Sequence, residues 1–529
     1  MRKKSIGVIC CLGLGVVATA WGCTTRDPET QQTPLENGGA DSVQGGASFS
    51  DTDGGENAGG TSASKKSSKT NTGGTKASSS VTGKGGTSST RGGSSASGGT
   101  NSSSTQAGSA SGGTSASSTT SGPSRGPTPK SATANFPFPQ NRFSANCTYP
   151  DGFKNEDVQS VYEQWKTHLV TSDGAGGFRR VKRPDEPGLD KDSTVSEGIA
   201  YGMIIAVYMD DQALFDDLWR YALLHSSSEP YPGTGPTILM NWYILASGEI
   251  GKNPGGGGAA TDADEDMAWA LIMADKQWGG KGKLEKSYLD YAKQLLGDIW
   301  KYEILDSKLP KNGSGWGGWD NLNVSYFAPS YYRVFATVSG QAAWKSAVVD
   351  TIYDVIDGNL TAENGNQANG LVPAFSSSKG GVAYNSDGSE LKHFHQYDSC
   401  RTPFRIGLDA CQFNEPRAKT YLAKISKFYS EKGAANILDG YKLDGTNYPE
   451  PETKDRGFQG RSAAFIGPAG VGAMHDPTYQ PFIEDVWELL RQNNMWHGGQ
   501  YYDESWTILS MLMLSGNFLD YTAETPLTE

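Results

Sequence analysis

The sequence is poor in cysteine, which limits the metal sites and cross-links that it can form. Its 529 residues include six cysteines, and three of these fall within the first 23 residues. The others, Cys147, Cys400 and Cys411, lack the spacing of a zinc site, and three thiols cannot all pair. An oxidising compartment would permit one disulfide among them, and buried free thiols are the alternative.

Positive charge is also scarce. The chain carries a formal net charge of -12 at pH 7. Its densest basic cluster is Arg179, Arg180, Lys182 and Arg183, which is typical of a solvated surface. Nucleic-acid binding requires concentrated lysine and arginine, so we expect no nucleic-acid partner.

Runs with the alternating pattern of a β-strand are few, whereas apolar residues recur at helical spacings of three and four. Two such sets are Val158, Val161, Trp165 and Leu169, and Ala418, Leu422, Ile425 and Tyr429. About twelve candidate helices follow along the chain, separated by long loops. Twelve helices in antiparallel pairs favour an all-α fold with a closed double ring, whose loops form a cleft.

The first 23 residues have the pattern of an export signal. Arg2, Lys3 and Lys4 precede an apolar run over 6–20, which is too short for a comfortable membrane-spanning helix. The ending Ala-Trp-Gly-Cys resembles a bacterial lipoprotein cleavage box with Cys23 as the lipid-bearing residue. Lipidation at Cys23 and an ordinary cleaved signal both remain open, and either predicts a secreted or surface-anchored protein.

Glycine, serine and threonine dominate the next segment, 24–135. Such a composition has no apolar face to bury, so we expect a disordered, flexible tether with a reach of roughly 50 Å for about 90 residues. The folded domain is expected over 136–529.

Three segments carry carboxylates that could perform chemistry. Glu197 lies where a helix opens, with Ser196 as a candidate N-cap; a first-turn acid that complements the helix dipole is the alternative. Asp398 lies three residues before Arg401, and an ion pair between them would hold the carboxylate ionised. A purely structural salt bridge is the alternative there.

The third segment alternates Asp262, Asp264 and Asp266 as a calcium loop does. Met267 and Met273 occupy the positions of the glycine and glutamate that an EF-hand requires, so that motif is excluded. Thr261 or Asp262 would cap the helix. Four acids at one helix start, Glu265 included, exceed what capping needs, and a substrate role is as well supported as a structural one. We expect no metal and no cofactor.

Aromatic residues flank these acids, and Trp316 lies in a glycine-rich loop that offers little core. Exposed aromatics in a cleft stack on sugar rings, and many of these residues would be core under the alternative interpretation. Paired carboxylates beside an aromatic groove are what glycoside hydrolysis requires.

Several long motifs carry a specific resemblance. ATDADEDMAWALIMADKQW over 260–278 resembles the signature of glycoside hydrolase family 8, a family of bacterial endoglucanases. SEGIAYGM around Glu197, YDSCRTPFR around Asp398 and the ending YYDESWTILSMLMLSGNF are similar to further motifs of that family. The resemblance spans about Phe138 to Leu519, and its departures are Cys400 and the tether.

The resemblance implies an (α/α)6 barrel and hydrolysis with inversion. It assigns Glu197 as the general acid, Asp398 as the base and Asp262 as the residue that binds the sugar at the cleavage point. Tyr326 matches a tyrosine near the attacking water, and Arg401 an arginine beside the base. Trp242 and Trp316 fall near stacking positions.

We therefore predict a monomeric, endo-acting β-1,4-glucanase whose partner is a polysaccharide. A xylanase, a less similar chitosanase, and a surface protein that binds carbohydrate without cleaving it are the alternatives. Retention of Glu197, Asp262 and Asp398 together argues against the non-catalytic alternative.

Overall fold

The computed structural model describes residues 134–184, 189–227, 235–318, 320–384, 393–448, 460–492 and 500–523. The predicted export signal, Cys23 and all but the last two residues of the predicted tether lie outside these described residues. Within the ranges given, no helix combines the length and the apolar character needed to cross a membrane.

Helices dominate the described residues, and the fold is all-α, as the sequence predicts. Twelve α-helices lie in the described ranges: α1 Asn155–Leu169, α2 Ser196–Tyr208, α3 Gln212–Leu224, α4 Thr261–Trp278, α5 Tyr288–Tyr302, α6 Pro329–Ser339, α7 Val349–Asn359, α8 Thr402–Phe413, α9 Pro416–Lys432, α10 Ala463–Ala473, α11 Gln480–Arg491 and α12 Tyr501–Leu514.

Three short antiparallel strand pairs join the loops between helices. They are β1 Val170–Thr171 with β2 Arg180–Val181, β3 Thr194–Val195 with β4 Tyr243–Ile244, and β5 Leu322–Asn323 with β6 Phe375–Ser376. Strand β3 leads directly into α2, so its pairing with β4 fixes the point at which α2 begins.

The even-numbered helices contact one another in order. Helix α2 contacts α4, α4 contacts α6, α6 contacts α8, α8 contacts α10, α10 contacts α12, and α12 contacts α2. Each odd-numbered helix packs on one of them: α1 on α12, α3 on α2, α5 on α4, α7 on α6, α9 on α8 and α11 on α10. The core therefore lies among and around the even-numbered helices.

Burial distinguishes the two sets of helices. Every residue of α2, α10 and α12 is buried. The helices that pack outside them bury one face only, and the apolar sets predicted on α1 and α9 are confirmed as their buried faces. An outer helix keeps a polar face toward water, which is why its pattern is visible in the sequence.

Candidate active site

Helix starts bring three of the predicted site residues together with a fourth residue, Tyr501. Glu197 is the second residue of α2, Asp262 is the second residue of α4, Arg401 directly precedes α8, and Tyr501 begins α12. Side-chain hydrogen bonds link all four residues. The N-terminal ends of these helices therefore meet, and their partial positive charge favours the carboxylates held there.

The residues predicted to cap α2 and α4 do not serve as N-caps. Helix α2 has Val195 at its N-cap and α4 has Ala260, and neither cap makes a side-chain hydrogen bond. The hydroxyls of Ser196 and Thr261 have no hydrogen-bond partner among the described residues. The caps predicted at Ser196 and at Thr261 or Asp262 are therefore wrong, because each helix is entered from extended backbone one residue earlier.

Arg401 connects two of the carboxylates. Its Nη1 atom donates to Oε2 of Glu197 at 2.5 Å, to Oδ2 of Asp262 at 2.6 Å and to the Tyr201 hydroxyl at 3.2 Å. Its Nε atom donates to the Ser325 hydroxyl at 3.0 Å. Because the guanidinium is buried and always charged, it partly neutralises two acids that would otherwise repel each other.

Glu197 is held in the protonated form to unusually high pH. Burial raises its pKa to about 8; the charge of Arg401 opposes this shift and that of Asp262 adds to it. The Tyr501 hydroxyl donates to the other oxygen, Oε1, at 2.6 Å, and also favours the ionised form. A carboxyl that keeps its proton at neutral pH is suited to act as an acid.

Asp262 lies beside Glu197 with one oxygen paired and one available. Its Oδ2 atom accepts from Arg401, while Oδ1 is buried with no hydrogen-bond partner among the described residues. An unpaired buried carboxylate oxygen is costly, so it marks a position where a hydroxyl of a bound molecule would be favourable.

Asp398 is buried and receives its described hydrogen bonds from amides. Gln396 Nε2 donates to Oδ2 at 3.2 Å, and Asn323 Nδ2 lies 3.4 Å from Oδ1. The predicted ion pair with Arg401 is wrong, since the described ion pairs of Arg401 run to the acids on α2 and α4. The described hydrogen-bond donors of Asp398 are instead the neutral side-chain amides of Gln396 and Asn323.

The remaining acids at the start of α4 have structural partners. Asp266 forms a two-bond ion pair with Arg405, and Glu265 accepts from the Tyr332 hydroxyl at 2.9 Å. Among the described residues, no group of three or more His, Cys, Asp or Glu side chains is arranged to hold a metal ion. The alternating acids are therefore divided between Asp262, which lies in the site, and its neighbours, which brace α4.

Asp264 pairs with a second buried acid, Glu303. Burial raises the pKa of Glu303 to about 8, and burial followed by the nearby Glu303 charge raises that of Asp264 well above its usual value. Two neighbouring carboxyl groups held away from water are not both ionised, so the pair keeps at least one proton at neutral pH.

The predicted aromatic residues lie around the site, but two of them are more enclosed than expected. The Tyr326 ring lies beneath the Arg401 guanidinium, 4.9 Å from ring centre to Cζ. Trp242 and Trp316 are only 3% and 6% exposed. The expectation that Trp316 is exposed is wrong, because its ring packs against Gly258 and Gly313, where a Cβ atom would clash.

Sequence reasoning gave no role to several residues that complete the site. Tyr201, Asn323, Ser325 and Gln396 each hydrogen-bond an acid or Arg401, and Tyr501 bonds Glu197. Tyr501 carried one signal, since it begins the last family-like motif. Its bond to Glu197 joins residues 304 positions apart, which no local pattern can indicate.

The structure also shows the state of the three cysteines in the described residues. Cys147 and Cys411 form a disulfide, and Cys400 is a buried free thiol. The disulfide joins the segment before α1 to the last turn of α8. The sequence left open whether these cysteines form one disulfide or are buried free thiols, and the structure contains one disulfide.

Comparison with known proteins identifies relatives over most of the described chain. A family model described as "Glycosyl hydrolases family 8" matches residues 138–516. Endoglucanase A of Acetivibrio thermocellus is 35% identical over 364 residues, covering 68% of this chain and 69% of the relative. The reducing-end xylose-releasing exo-oligoxylanase Rex8A of Paenibacillus barcinonensis is 26% identical over 401 residues, covering 71% of this chain and 96% of the relative.

A solved structure shows a similar backbone. The β-1,3-1,4-glucanase from Paenibacillus sp. X4 superposes with a TM-score of 0.61 at 27% sequence identity, covering 73% of this chain and 99% of the glucanase.

Proposed function

The chain belongs to glycosyl hydrolase family 8, and we propose that within this family it is an endo-acting β-1,4-glucanase that hydrolyses its substrate with inversion. The family prediction from the sequence is confirmed, and the chain is a cellulase-like glycoside hydrolase with relatives named for β-glucan and xylan. The choice of β-1,4-glucan and the residue roles that follow are the proposal.

The proposal includes an (α/α)6 barrel with the site at the N-terminal ends of its inner helices. Support comes from the cycle of contacts from α2 through α4, α6, α8, α10 and α12 back to α2, and from the odd-numbered helix packed on each. Such a scaffold holds side chains from distant parts of the chain on rigid helix starts.

The observation that carries the mechanism is the setting of Glu197. Its carboxyl is buried, its pKa is raised to about 8, and it lies against Asp262 and Arg401. In the proposed reaction Glu197 gives its proton to the glycosidic oxygen as the bond from that oxygen to the anomeric carbon breaks. The electron pair of the broken bond stays on the departing sugar, and Glu197 becomes a carboxylate.

Asp398 is proposed as the base that activates the attacking water. Amide hydrogen bonds from Gln396 and Asn323 favour its anion, as a base requires. Water attacks the face opposite the leaving group and passes a proton to Asp398, and an inverting pair leaves roughly 6.5–9.5 Å between the carboxyl groups for it. Asp262 binds and orients the sugar through its unpaired oxygen, with Tyr326 and Arg401 beside it.

Sugar stacking is proposed at Trp242 and Trp316. Trp242 directly precedes β4, which pairs with the strand that leads to Glu197, and the Trp316 ring packs on Gly258, shortly before α4. β-1,4-Glucan is favoured over xylan because the endoglucanase relative is more similar than the oligoxylanase relative. Xylan is retained as the second candidate because that oligoxylanase matches over 71% of this chain.

Export and anchoring complete the proposal. A signal over 1–23, a tether over 24–135 and a catalytic domain over 136–529 would place a monomeric enzyme outside the cell, with lipid on Cys23 holding it at the surface. The Cys147–Cys411 disulfide supports export, because such bonds persist in oxidising compartments. Fractionation of cells that express the Cys23→Ala variant tests the anchor, which is refuted if the unaltered protein is already soluble and unlipidated.

Reducing-sugar release from soluble cellulose, mixed-linkage glucan, xylan and chitosan tests the substrate. We expect the β-1,4-glucans to be cleaved fastest, with a rapid fall in viscosity from internal cleavage. Faster cleavage of xylan would select the second candidate. If the folded protein, checked by its thermal melt, releases reducing sugar from none of the four substrates, the carbohydrate-binding alternative is favoured.

A further inference from the structure

The Tyr501 hydroxyl is held on the oxygen of Glu197 that Arg401 does not bind. It donates to Oε1 at 2.6 Å, while Arg401 occupies Oε2. The carboxyl group is therefore clamped at both oxygens and cannot turn about its last torsion without breaking a hydrogen bond. A proton donor gains from this restraint, because its proton must point at one position on the substrate.

The ring of Tyr501 is fixed, so its hydroxyl is a defined group rather than a mobile one. Tyr501 is fully buried at the start of α12. Its ring lies over Gly198, next to Glu197, where an added Cβ would be 3.4 Å from Tyr501 Cδ2. The Arg183 guanidinium lies over the ring, 5.5 Å from its centre. The hydroxyl hydrogen retains rotation about the C–O bond.

The two partners of Glu197 differ in what they can do when it takes up a proton. A guanidinium has five donors and no acceptor, so Arg401 can only donate to Oε2. A phenol can donate or accept, so Tyr501 can reverse its hydrogen bond. Of these two partners, Tyr501 alone suits both the carboxylate and the acid.

We propose that Tyr501 is the positioning residue of the proton donor: its hydroxyl donates to Oε1 of the Glu197 carboxylate, and turns to accept from the Oε1–H of the Glu197 acid. When substrate binds, the Oε1–H bond turns from Tyr501 to the glycosidic oxygen, and its proton forms the new O–H bond of the departing sugar as the glycosidic C–O bond breaks. Tyr501 then donates again to the carboxylate left behind. This inference rests on the proposed role of Glu197 as the acid.

Among the described residues, the charged or titratable groups that interact with Glu197 or with the Tyr501 ring bear on the test. They are Tyr201 on α2, Asp262 on α4, Cys400 and Arg401 before α8, Tyr326, Tyr501 and Tyr502 on α12, and Arg183. Removing the Tyr501 hydroxyl removes a donor that favours the anion, so the pKa of Glu197 should rise. Removing the Asp262 charge should lower it, because that charge disfavours the anion.

Tyr501→Phe is therefore the main variant, and Tyr502→Phe is its matched control. Tyr502 lies on the same helix, and its described hydroxyl contacts are Cys400 Sγ and the Tyr397 carbonyl, not Glu197. For Tyr501→Phe we expect kcat on soluble cellulose to fall at least about tenfold, the equivalent of one hydrogen bond to a charged group. The high-pH limb of kcat/KM should move to higher pH, and Tyr502→Phe should leave that limb in place.

A dinitrophenyl β-cellotrioside separates proton donation from general damage. Its leaving group departs without a proton, so the deficit of Tyr501→Phe should largely disappear on it, as should that of Glu197→Gln. An equal deficit on both substrates, or an unmoved pH limb, would overturn the proposal. If the high-pH limb stays in place in Tyr501→Phe but moves to lower pH in Asp262→Asn, the proton lies in a hydrogen bond between Glu197 and Asp262. The role proposed for Tyr501 is then wrong.

The outcomes also separate this inference from the proposed function. If Glu197→Gln keeps native activity on cellulose, Glu197 is not the acid and the proposed mechanism fails. If Glu197→Gln loses activity while Tyr501→Phe behaves like Tyr502→Phe, only the role of Tyr501 is wrong. Thermal melts of all variants accompany the assays.

Discussion

Arg405 donates two hydrogen bonds to Asp266, from Nη1 to Oδ1 at 2.5 Å and from Nη2 to Oδ2 at 2.7 Å. Arg401 and Asp262, each four residues earlier in the chain, form a second ion pair through one hydrogen bond, from Nη1 to Oδ2 at 2.6 Å. The start of α4 is thus tied to the start of α8 by two buried ion pairs. One of them lies in the site, and the other holds the first in place.

Breaking the Arg405–Asp266 pair should destabilise the protein strongly. Arg405→Met leaves Asp266 buried without its cation, which costs about 3–5 kcal/mol of unfolding free energy. Arg417→Met is the control, since its partners Asp354 and Asp357 are largely exposed, and it should cost at most about 1 kcal/mol. Urea unfolding measures both, and similar losses would contradict the bracing role.

The proposed acid and base should each be essential. Glu197→Gln and Asp398→Asn remove a proton donor and a proton acceptor, so each should lower kcat by at least about a hundredfold. Asp350→Asn, at an exposed acid of α7, should have no effect. NMR of the anomeric proton in the first minutes should show α-product from the β-linked substrate. Early β-product would mean retention and would exchange the roles of Asp398 and Asp262.

The pH profile should report the protonation of Glu197. The acid form is the active one, and burial raises its pKa to about 8, so kcat/KM should fall as pH rises above about 8. Glu303 also has a pKa raised to about 8 by burial, but its charge is not among the causes that shift the pKa of Glu197. Glu303→Gln should therefore leave the high-pH limb unchanged. A shift of that limb would mean that it reports the ionisation of Glu303 and not that of Glu197.

Stability should depend on pH through the Asp264–Glu303 pair. The pKa of Glu303 rises from an ordinary 4.5 to about 8 on folding. Between these values the folded state keeps a proton that the unfolded state has lost, so unfolding free energy falls as pH rises through this window. Glu303→Gln, which cannot ionise, should show a shallower fall in melting temperature between about pH 5 and 8. An unchanged slope would refute the claim that folded Glu303 keeps its proton in this window.

The sequence predicted the outer helices better than the inner ones for a physical reason. Helix α1 shows apolar residues on one face because its other face meets water. Helix α10 is buried all round, and its Gly467, Pro468, Gly470 and Gly472 look like a loop. Those glycines are needed for close packing, since a Cβ on Gly467 would meet Ser510 and one on Gly470 would meet Val486.

The site shows the same limit. Glu197, Asp262 and Asp398 could be predicted as site residues because each lies in a motif of local sequence. The partner of Arg401 was mistaken, because spacing along one segment favoured Asp398 while the fold brings acids from α2 and α4 to it. Contacts between helix starts depend on how the helices pack, which a single sequence does not reveal.

The disulfide provides the last prediction. Cys147 and Cys411 are separated by 264 positions, so their bond restricts a long loop in the unfolded chain. It also holds the segment before α1 against α8, where Ser144 and Asn146 donate to the Cys411 carbonyl. Cys411→Ser should lower the unfolding free energy by about 2–5 kcal/mol. Cys400→Ala is the control, because that thiol is free and its loss removes only a small buried side chain. Reductant should lower the melting temperature of the unaltered protein and leave Cys411→Ser unaffected. If reductant shifts neither protein, the bond contributes nothing to stability, and α8 with Arg401 is held in place without it, by helix packing and the ion pairs to α4.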